Sequence, residues 1–438
     1  MTRGVVVAPQ PRAAEAGAAM FSAGGNAFDA AIAAAFVQTV VDPHMCGLGG
    51  LGCATYSVDG RAWHAGFHAR AGSRAVPGMW SADVRGRLEL GGYALFDDHR
   101  NNLGHRSVAA PGTVAGLEEL YRHARLPWAE LLAPAIRLAR DGFPAPEYMF
   151  DLLKRLDLPG LPSVEERVTF TPDSTRLWCR EDGRTLKQPG ETWRCPDLAA
   201  SLEHLARVGP RDFYEGELAR SIVAELERGG GYVTADDLRT YRVRVSPPVA
   251  GRYRGLRVLS AAPPASGITV LQMLHVLDRF PPRVPGEAET FVLLAGAMRE
   301  AFAERARSVA DPEHVAVPVA QLLGAEWADS AAERLRLGVP RRESETVGAA
   351  GTTHVSTYDE QGHAVALTHT LSLYSGVIVP GTGIPLNSAM DLFDPAPNGP
   401  NALTPGKART SGMAPTIAFD GERVRIVTGA PGTNAIVT

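Results

Sequence analysis

Long apolar runs are absent from this chain. The most apolar stretch, around Ala30 to Phe36, falls far short of the roughly 20 residues that a membrane-spanning helix needs. Cysteine is scarce, with 4 in 438 residues, so no disulfide framework can staple a chain this long. Cys46 and Cys53, like Cys179 and Cys195, are spaced unlike zinc-knuckle ligands and read as small buried hydrophobes. Excess charge of either sign is also missing. The formal net charge is -4 and there is no polybasic tract, which argues against nucleic acid or a membrane as partner. The N-terminus MTRGVVVAPQPRAAEAG lacks a secretory apolar region, its run ending at Pro9. The expectation is a cytoplasmic protein.

Familiar catalytic signatures are missing too. There is no G-x-S-x-G elbow, H-E-x-x-H, phosphate-binding loop or EF-hand loop, and the 12 histidines show no metal-ligand pair on one helix face. CGLGGLG does satisfy G-x-G-x-x-G through Gly47, Gly49 and Gly52. A dinucleotide fingerprint, however, follows a strand and opens a helix, so that pyrophosphate meets the helix N-terminus. Here an Ala-rich helix precedes the glycines and the strand-like CATYSV follows them. They read as a turn with close backbone packing.

What is there is ordinary globular composition, 45% hydrophobic and 21% charged, enough for a large core. Asn26 can cap an Ala-rich helix running to Val40. PGTVAGLEELYRHARL and PWAELLAPAIRLARDG predict two more helices, the second stopping at Gly142. Thr234 to Asp237 form a capping box, and ETFVLLAGAMREAFAERARSVA predicts a long helix with Leu293, Ala297 and Ala301 on one stripe. YRGLRVLSAAPP reads as a strand entering a loop. After the charged RRESETVGAAG the pattern changes to short β-like runs and turns rich in Gly, Pro and Asn, so the best internal boundary lies near residue 345.

Just past that boundary, TTHVSTY and AVALTHTL pair as a hairpin around DEQGH, which contains Gly362. Tyr358 then faces Ala364, and the same register sets Thr352 opposite Thr370 on one face. Directly opposed Cβ atoms lie about 4.5–5.5 Å apart, close enough for two hydroxyls to meet. Threonine is common in strands for its shape alone. It is also a nucleophile when a base stands beside it, and one such base is its own α-amine, freed by cutting the preceding bond. Gly351 is a small carbonyl donor for that attack.

The blocks AAEAGAAMFSAGGNAFDAAIAAAFVQTVVDPHMCGLGG, APGTVAGLEEL, GGYVTADDLRTYRV, YRGLRVLSAAPPASG, VPGTGIPLN, PNALTPGKARTSGMAPTI and TGAPGTNAI, with the TTH run between them, resemble those of the γ-glutamyltransferase family in the family's order. The resemblance spans nearly the whole chain. It implies an N-terminal-nucleophile (Ntn) hydrolase, an α+β protein with a four-layer αββα sandwich and a helix-rich N-terminal portion. It further implies self-cleavage at Gly351–Thr352 into a large-subunit-like segment 1–351 and a small-subunit-like segment 352–438, which stay together as a heterodimer. The implied reaction moves the acyl group of a γ-glutamyl (glutathione-like) amide through acyl-Thr352 to water or an amine, without metal or organic cofactor. Family members are often periplasmic or secreted. The family's small subunit also continues well past the last matching loop, so the expectation is a C-terminally shortened chain.

Residue by residue, the resemblance makes Thr352 the nucleophile and Thr370 its hydrogen-bond partner. Gly432 and Thr433 fall where the family has a Gly-Gly pair whose backbone N–H groups form the oxyanion hole. Ser411 matches the first of two serines that hold the substrate's α-carboxylate. The rest of the clamp departs from the family. Its arginine for the α-carboxylate aligns with His68, its aspartate for the α-ammonium with Leu392, its second serine with Gly412, and a substrate-contacting Asn with Ser372. Losing the partner of a desolvated charge costs roughly 2–5 kcal/mol. Arg70, two residues from His68, and Asp391 or Asp394 are the candidates for compensation. Beside γ-glutamyl transfer stand two alternatives: the same chemistry on a non-glutamyl acyl group, as in acylases and natural-product hydrolases, and an unprocessed, catalytically silent binding protein. His354, His363 and His369 read as structural, because the α-amine fills the role of base.

Overall fold

The computed structural model describes residues 2–88, 93–155, 157–339 and 351–432. Two antiparallel sheets carry the architecture. The first has six strands in the order Gly4–Val7, Thr353–Asp359, Ala364–Thr370, Leu51–Val58, Arg61–Phe67 and Arg244–Ser246. The second has four, Arg423–Thr428, Thr416–Asp420, Leu256–Ser260 and Val249–Tyr253.

The two-residue period of a strand decides what each face meets. Along Ala364–Thr370, Val365 and Leu367 join the main core with the helices Pro11–Ser22 and Ala27–Val41. Ala364 and Ala366 point the other way, toward Leu259, Ile417 and Phe419 of the second sheet. That sheet's outer face is covered by the helix Gly267–Leu277, whose Ile268 and Leu271 meet Val249 and Val258. Behind it, Ala297 of Ala288–Ser308 and Ala331 of Ala325–Arg336 pack on Val276. The layers are helix, sheet, sheet, helix, the αββα order of an Ntn hydrolase.

The Ala-rich helix is the central pillar, and all of its residues are buried. Asn26 caps it, accepting from the Phe28 and Asp29 N–H groups, while Asp29 accepts in return from the Asn26 N–H. Asp29 also takes the N–H groups of Arg125 and Leu126. The helix expected through Leu126 stops at Tyr121: the Arg122, His123 and Ala124 N–H groups turn to carbonyls three residues back, and those of Arg125 and Leu126 then go to the Asp29 carboxylate. The neighbouring helix Trp128–Asp141 ends as expected at Gly142, whose φ is +83°.

The glycines after the Ala-rich helix serve close approach. A Cβ on Gly49 would lie 2.4 Å from the Pro385 carbonyl, one on Gly50 2.5 Å from that of Thr370, and one on Gly52 2.4 Å from that of Thr368. The segments on either side of Gly351 share both sheets. Thr353–Asp359 lies between Gly4–Val7 and Ala364–Thr370, and Leu256–Ser260 pairs with Thr416–Asp420. Among the described residues no helix is long and apolar enough to cross a membrane. Gly50→Ala would drive a methyl into the backbone beside Thr370, and should lower stability by about 1–3 kcal/mol, read from the midpoint of urea unfolding.

Candidate active site

The hairpin has the register its loop length predicts, Tyr358 opposite Ala364 and Thr353 opposite His369. One more step along the ladder brings Thr352 to Thr370, and their hydroxyl oxygens are 3.3 Å apart. Both residues are buried. The Thr370 hydroxyl donates to the Gly351 carbonyl and accepts from the Ser372 N–H at 2.8 Å. Thr352 Oγ1 lies 2.5 Å from the same Gly351 carbonyl oxygen. A nucleophilic oxygen and a donor to the carbonyl therefore converge on the Gly351–Thr352 bond. Gly351 is required there for room, not for an unusual φ, because a Cβ would stand 2.5 Å from the Ser372 carbonyl.

Around Thr352 Oγ1, the partners among the described residues are Gly351 O, Thr370 Oγ1 and Gly432 O at 3.2 Å. None is a base. Gly432 turns its carbonyl toward this hydroxyl in the uncut chain, whereas its own N–H, the expected donor, belongs to the preceding peptide. Thr433 lies outside the described residues. His354 and His369 are neutral, since burial pushes both down to about 3. His354 bonds Thr368 and Ser356, His369 bonds Gln38, and His363 sits on Asp359.

Beneath the strand Thr353–Asp359 lies a polar network that the sequence reading missed. Gln38 Nε2 reaches Thr353 Oγ1 at 2.9 Å and the His354 carbonyl at 3.1 Å, and its Oε1 meets His369 Nε2 at 2.9 Å. Gln10 Nε2 reaches Thr353 Oγ1 at 3.0 Å and Asp42 Oδ2 at 2.6 Å. Burial pushes the Asp42 carboxyl up to about 7, against the lowering effect of the Gln10 bond. A glutamine within the apolar body of the helix Ala27–Val41 was the available signal: a buried amide needs partners.

The clamp positions diverge in fate. His68 is 5% exposed, and neither ring nitrogen has a hydrogen-bond partner among the described residues. Burial first, then nearby cations, hold it well below the usual histidine range, so it is neutral. Arg70 is engaged by Glu313 at 2.6 Å and the Gly406 carbonyl at 3.3 Å. Asp394 pairs with Arg87. Leu392 is half-buried against the main core, and its polar contact is a backbone one, its carbonyl accepting from Asn401. Ser411 Oγ accepts from the Met413 N–H, with Gly412 buried beside it. Ser372 has a φ of +63°, and its hydroxyl is held by Asp391 Oδ2 at 2.6 Å and Arg409 Nη2 at 3.0 Å.

The gamma-glutamyltranspeptidase family model matches residues 13–438. The chain belongs to that family. It is 36% identical to an acylase ACY 1 proenzyme of Pseudomonas sp. strain V22, covering 98% of this chain and 77% of that protein. It is 32% identical to the glutathione hydrolase proenzyme of Escherichia coli strain K12, covering 100% of this chain and 76% of that one. A cephalosporin acylase from Bacillus halodurans superposes with a TM-score of 0.84 at 30% identity, covering 98% of this chain and 77% of its own. The gamma-glutamyltranspeptidase relatives thus include both glutathione hydrolases and acylases, and the chain is a hydrolase of the Ntn fold.

Among the described residues no cluster of three or more His, Cys, Asp or Glu could hold a metal ion. The Asp42 carboxyl gives a pH signature. Folded, it keeps its proton to about pH 7, whereas an unfolded aspartate loses it near pH 4. Its contribution to stability is therefore full below about pH 4 and is lost as pH rises toward 7. Relative to Asp42→Asn, the native chain should lose up to about 4 kcal/mol across that window. Denaturant unfolding of both proteins at pH 4.5 and 7.5 measures it, and parallel behaviour would refute the assignment.

Proposed function

We propose that this chain cuts itself between Gly351 and Thr352 and then works as a threonine amidase on an acyl group other than γ-glutamyl. In the first step Thr352 Oγ attacks the Gly351 carbonyl carbon while the Thr370 hydroxyl donates to the developing oxyanion. The hydroxyl proton passes to the departing nitrogen as the C–N bond breaks, Gly351 becomes an ester on Thr352, and the α-amine of Thr352 is freed. Water then hydrolyses the ester and leaves Thr352 as a new N-terminus. The observation that carries this reading is the convergence of both threonine hydroxyls on one buried carbonyl oxygen. The names of the Pseudomonas and Escherichia coli relatives, both called proenzymes, agree with it.

In the second phase the freed amine is the base, since no ionisable side chain among the described residues touches Thr352 Oγ1. It takes the hydroxyl proton as Thr352 attacks a substrate amide, and returns it to the departing amine. Water or a second amine releases the acyl group from the ester. Gly432 and Thr433 are the proposed backbone donors to the oxyanion, which requires the Gly432 peptide to turn after cleavage. Ser372, Ser411 and Gly412 would line the acyl site with His68.

The departure from γ-glutamyl rests on the clamp. His68 is neutral where the family's guanidinium would be, Arg70 and Asp394 are engaged elsewhere, and Leu392 offers no charge to an ammonium. Purified protein should therefore yield a fragment beginning Thr352-Thr353-His354, seen by intact mass and N-terminal sequencing. Thr352→Ala should remain one chain and turn over nothing. A persistent uncut native chain would instead favour the silent binding protein. Glutaryl p-nitroanilide, which lacks the α-amine, should exceed γ-glutamyl p-nitroanilide in kcat/KM by roughly thirtyfold or more. Equal or better turnover of the γ-glutamyl compound would return the chain to the glutathione-type reading.

A further inference from the structure

We infer that Gln38 and Gln10 are positioning residues for the nucleophile: acting through Thr353, they hold Thr352 in place once its bond to Gly351 is cut. This rests on the self-cleaving amidase reading above and adds to it two residues that touch neither substrate nor the reacting atoms.

Cleavage leaves Thr352 with one covalent neighbour, Thr353. The freed residue carries both the nucleophilic oxygen and the amine that serves as base, so any play at Thr353 moves both away from Thr370. The backbone alone is a weak tether there. The strand begins at Thr353, and Thr353–His369 is the last pair of its ladder, the kind of place where a strand opens most easily. The Thr353 side chain supplies what the ladder lacks. It leaves the sheet on the helix side, as Val355 does, and so stays clear of the Thr352–Thr370 hydroxyl pair on the other face.

Two buried amides meet it there. Thr353 Oγ1 accepts from Gln38 Nε2 at 2.9 Å and from Gln10 Nε2 at 3.0 Å, and its own proton faces Gln10 Oε1 at 3.3 Å. Gln38 Nε2 also lies 2.8 Å from Gln10 Oε1 and 3.1 Å from the His354 carbonyl. That carbonyl fixes which way the Gln38 amide points, since the flipped form would set Oε1 against another acceptor. His369 Nε2 then meets Gln38 Oε1 at 2.9 Å, so one side chain ties Thr353–Asp359 to its partner strand. Gln10 stands at the N-cap of Pro11–Ser22, yet its side chain makes no capping bond to that helix. It turns instead to Thr353 and Asp42. Both amides are thus committed to the residue from which the freed Thr352 hangs.

The test compares the native protein with Thr353→Ser, Thr353→Val and Gln38→Met. Self-cleavage is timed by intact mass, and kcat and KM are measured per cleaved chain with whichever of glutaryl and γ-glutamyl p-nitroanilide the native enzyme prefers. Thr353→Val removes the hydroxyl and keeps the branched shape. It should slow cleavage and lower kcat by roughly tenfold to a hundredfold, with KM within about threefold of native. Thr353→Ser, which keeps the hydroxyl, should stay within about threefold of native in all three. Gln38→Met leaves the strand untouched and should lower kcat as Thr353→Val does. Native rates in Thr353→Val, an equal fall in Thr353→Ser, or a loss confined to KM would each overturn the assignment. Hydrogen exchange separates it from the amidase reading. In the uncut Thr352→Ala protein, adding Gln38→Met should speed exchange of the backbone amides of residues 353–355 by roughly tenfold or more and leave those of 357–359 unchanged. Equal protection would overturn the anchor whether or not the native chain cuts itself, whereas an uncut native chain with the expected exchange would refute the amidase reading alone. Should Gln38→Met not fold, Thr353→Val takes its place in the exchange experiment with the same two outcomes.

Discussion

An antiparallel pair of strands fixes side-chain neighbours to within one residue, and everything in this site hangs on that register. With Thr352 opposite Thr370, two hydroxyls meet at one carbonyl. A slip of one position would send Thr370 to the helix side of the sheet. The Gln38 side chain guards against that slip by bonding both strands at once, Thr353 and His354 on one and His369 on the other. The opposite face has its own lock, because the small Ala364 and Ala366 admit Ile417 and Phe419 from the second sheet. Polar satisfaction on one face and close packing on the other point to the same alignment.

The division between chemistry and specificity follows the fold. Thr352 and Thr370 stand at the adjoining ends of two neighbouring strands of one sheet, where backbone hydrogen bonds hold them. The residues of the proposed acyl site, His68, Ser372 and Ser411, come from connections between elements. Loops can exchange charges without disturbing a ladder, which is how one catalytic hairpin serves relatives named for different substrates. Ser372 shows the cost of such exchange. It holds a left-handed backbone that asparagine tolerates better, and Asp391 and Arg409 steady it there.

What could be read in the sequence was local. The hairpin register came from loop length and a two-residue period, the Ala-rich helix from its Asn26 cap, and the long helix ending at Ser308 from its periodicity. What could not be read was long-range. Gln10 and Thr353 are 343 positions apart in the chain, and Arg409 reaches Ser372 across 37. No spacing rule connects such pairs; packing does. The end of the helix at Tyr121 belongs to the same class, since a carboxylate about a hundred residues upstream takes the N–H groups of Arg125 and Leu126 just beyond it. The carbonyl orientation of Gly432 was likewise invisible, because residue type does not fix which way a peptide faces.

The placement of Thr353–Asp359 has one more consequence. It is an interior strand, flanked by Gly4–Val7 on one side and Ala364–Thr370 on the other. A chain severed just before it would lose a covalent bond and none of its ladder, so the pieces would remain interlocked while folded. Once denatured, however, they would drift apart, and reassembly would become a meeting of two molecules, dependent on concentration. Folding of the intact chain has no such dependence. Cleavage would thus act as a ratchet: the linear precursor can find the fold alone, and the activated enzyme, once lost, has no unimolecular way back.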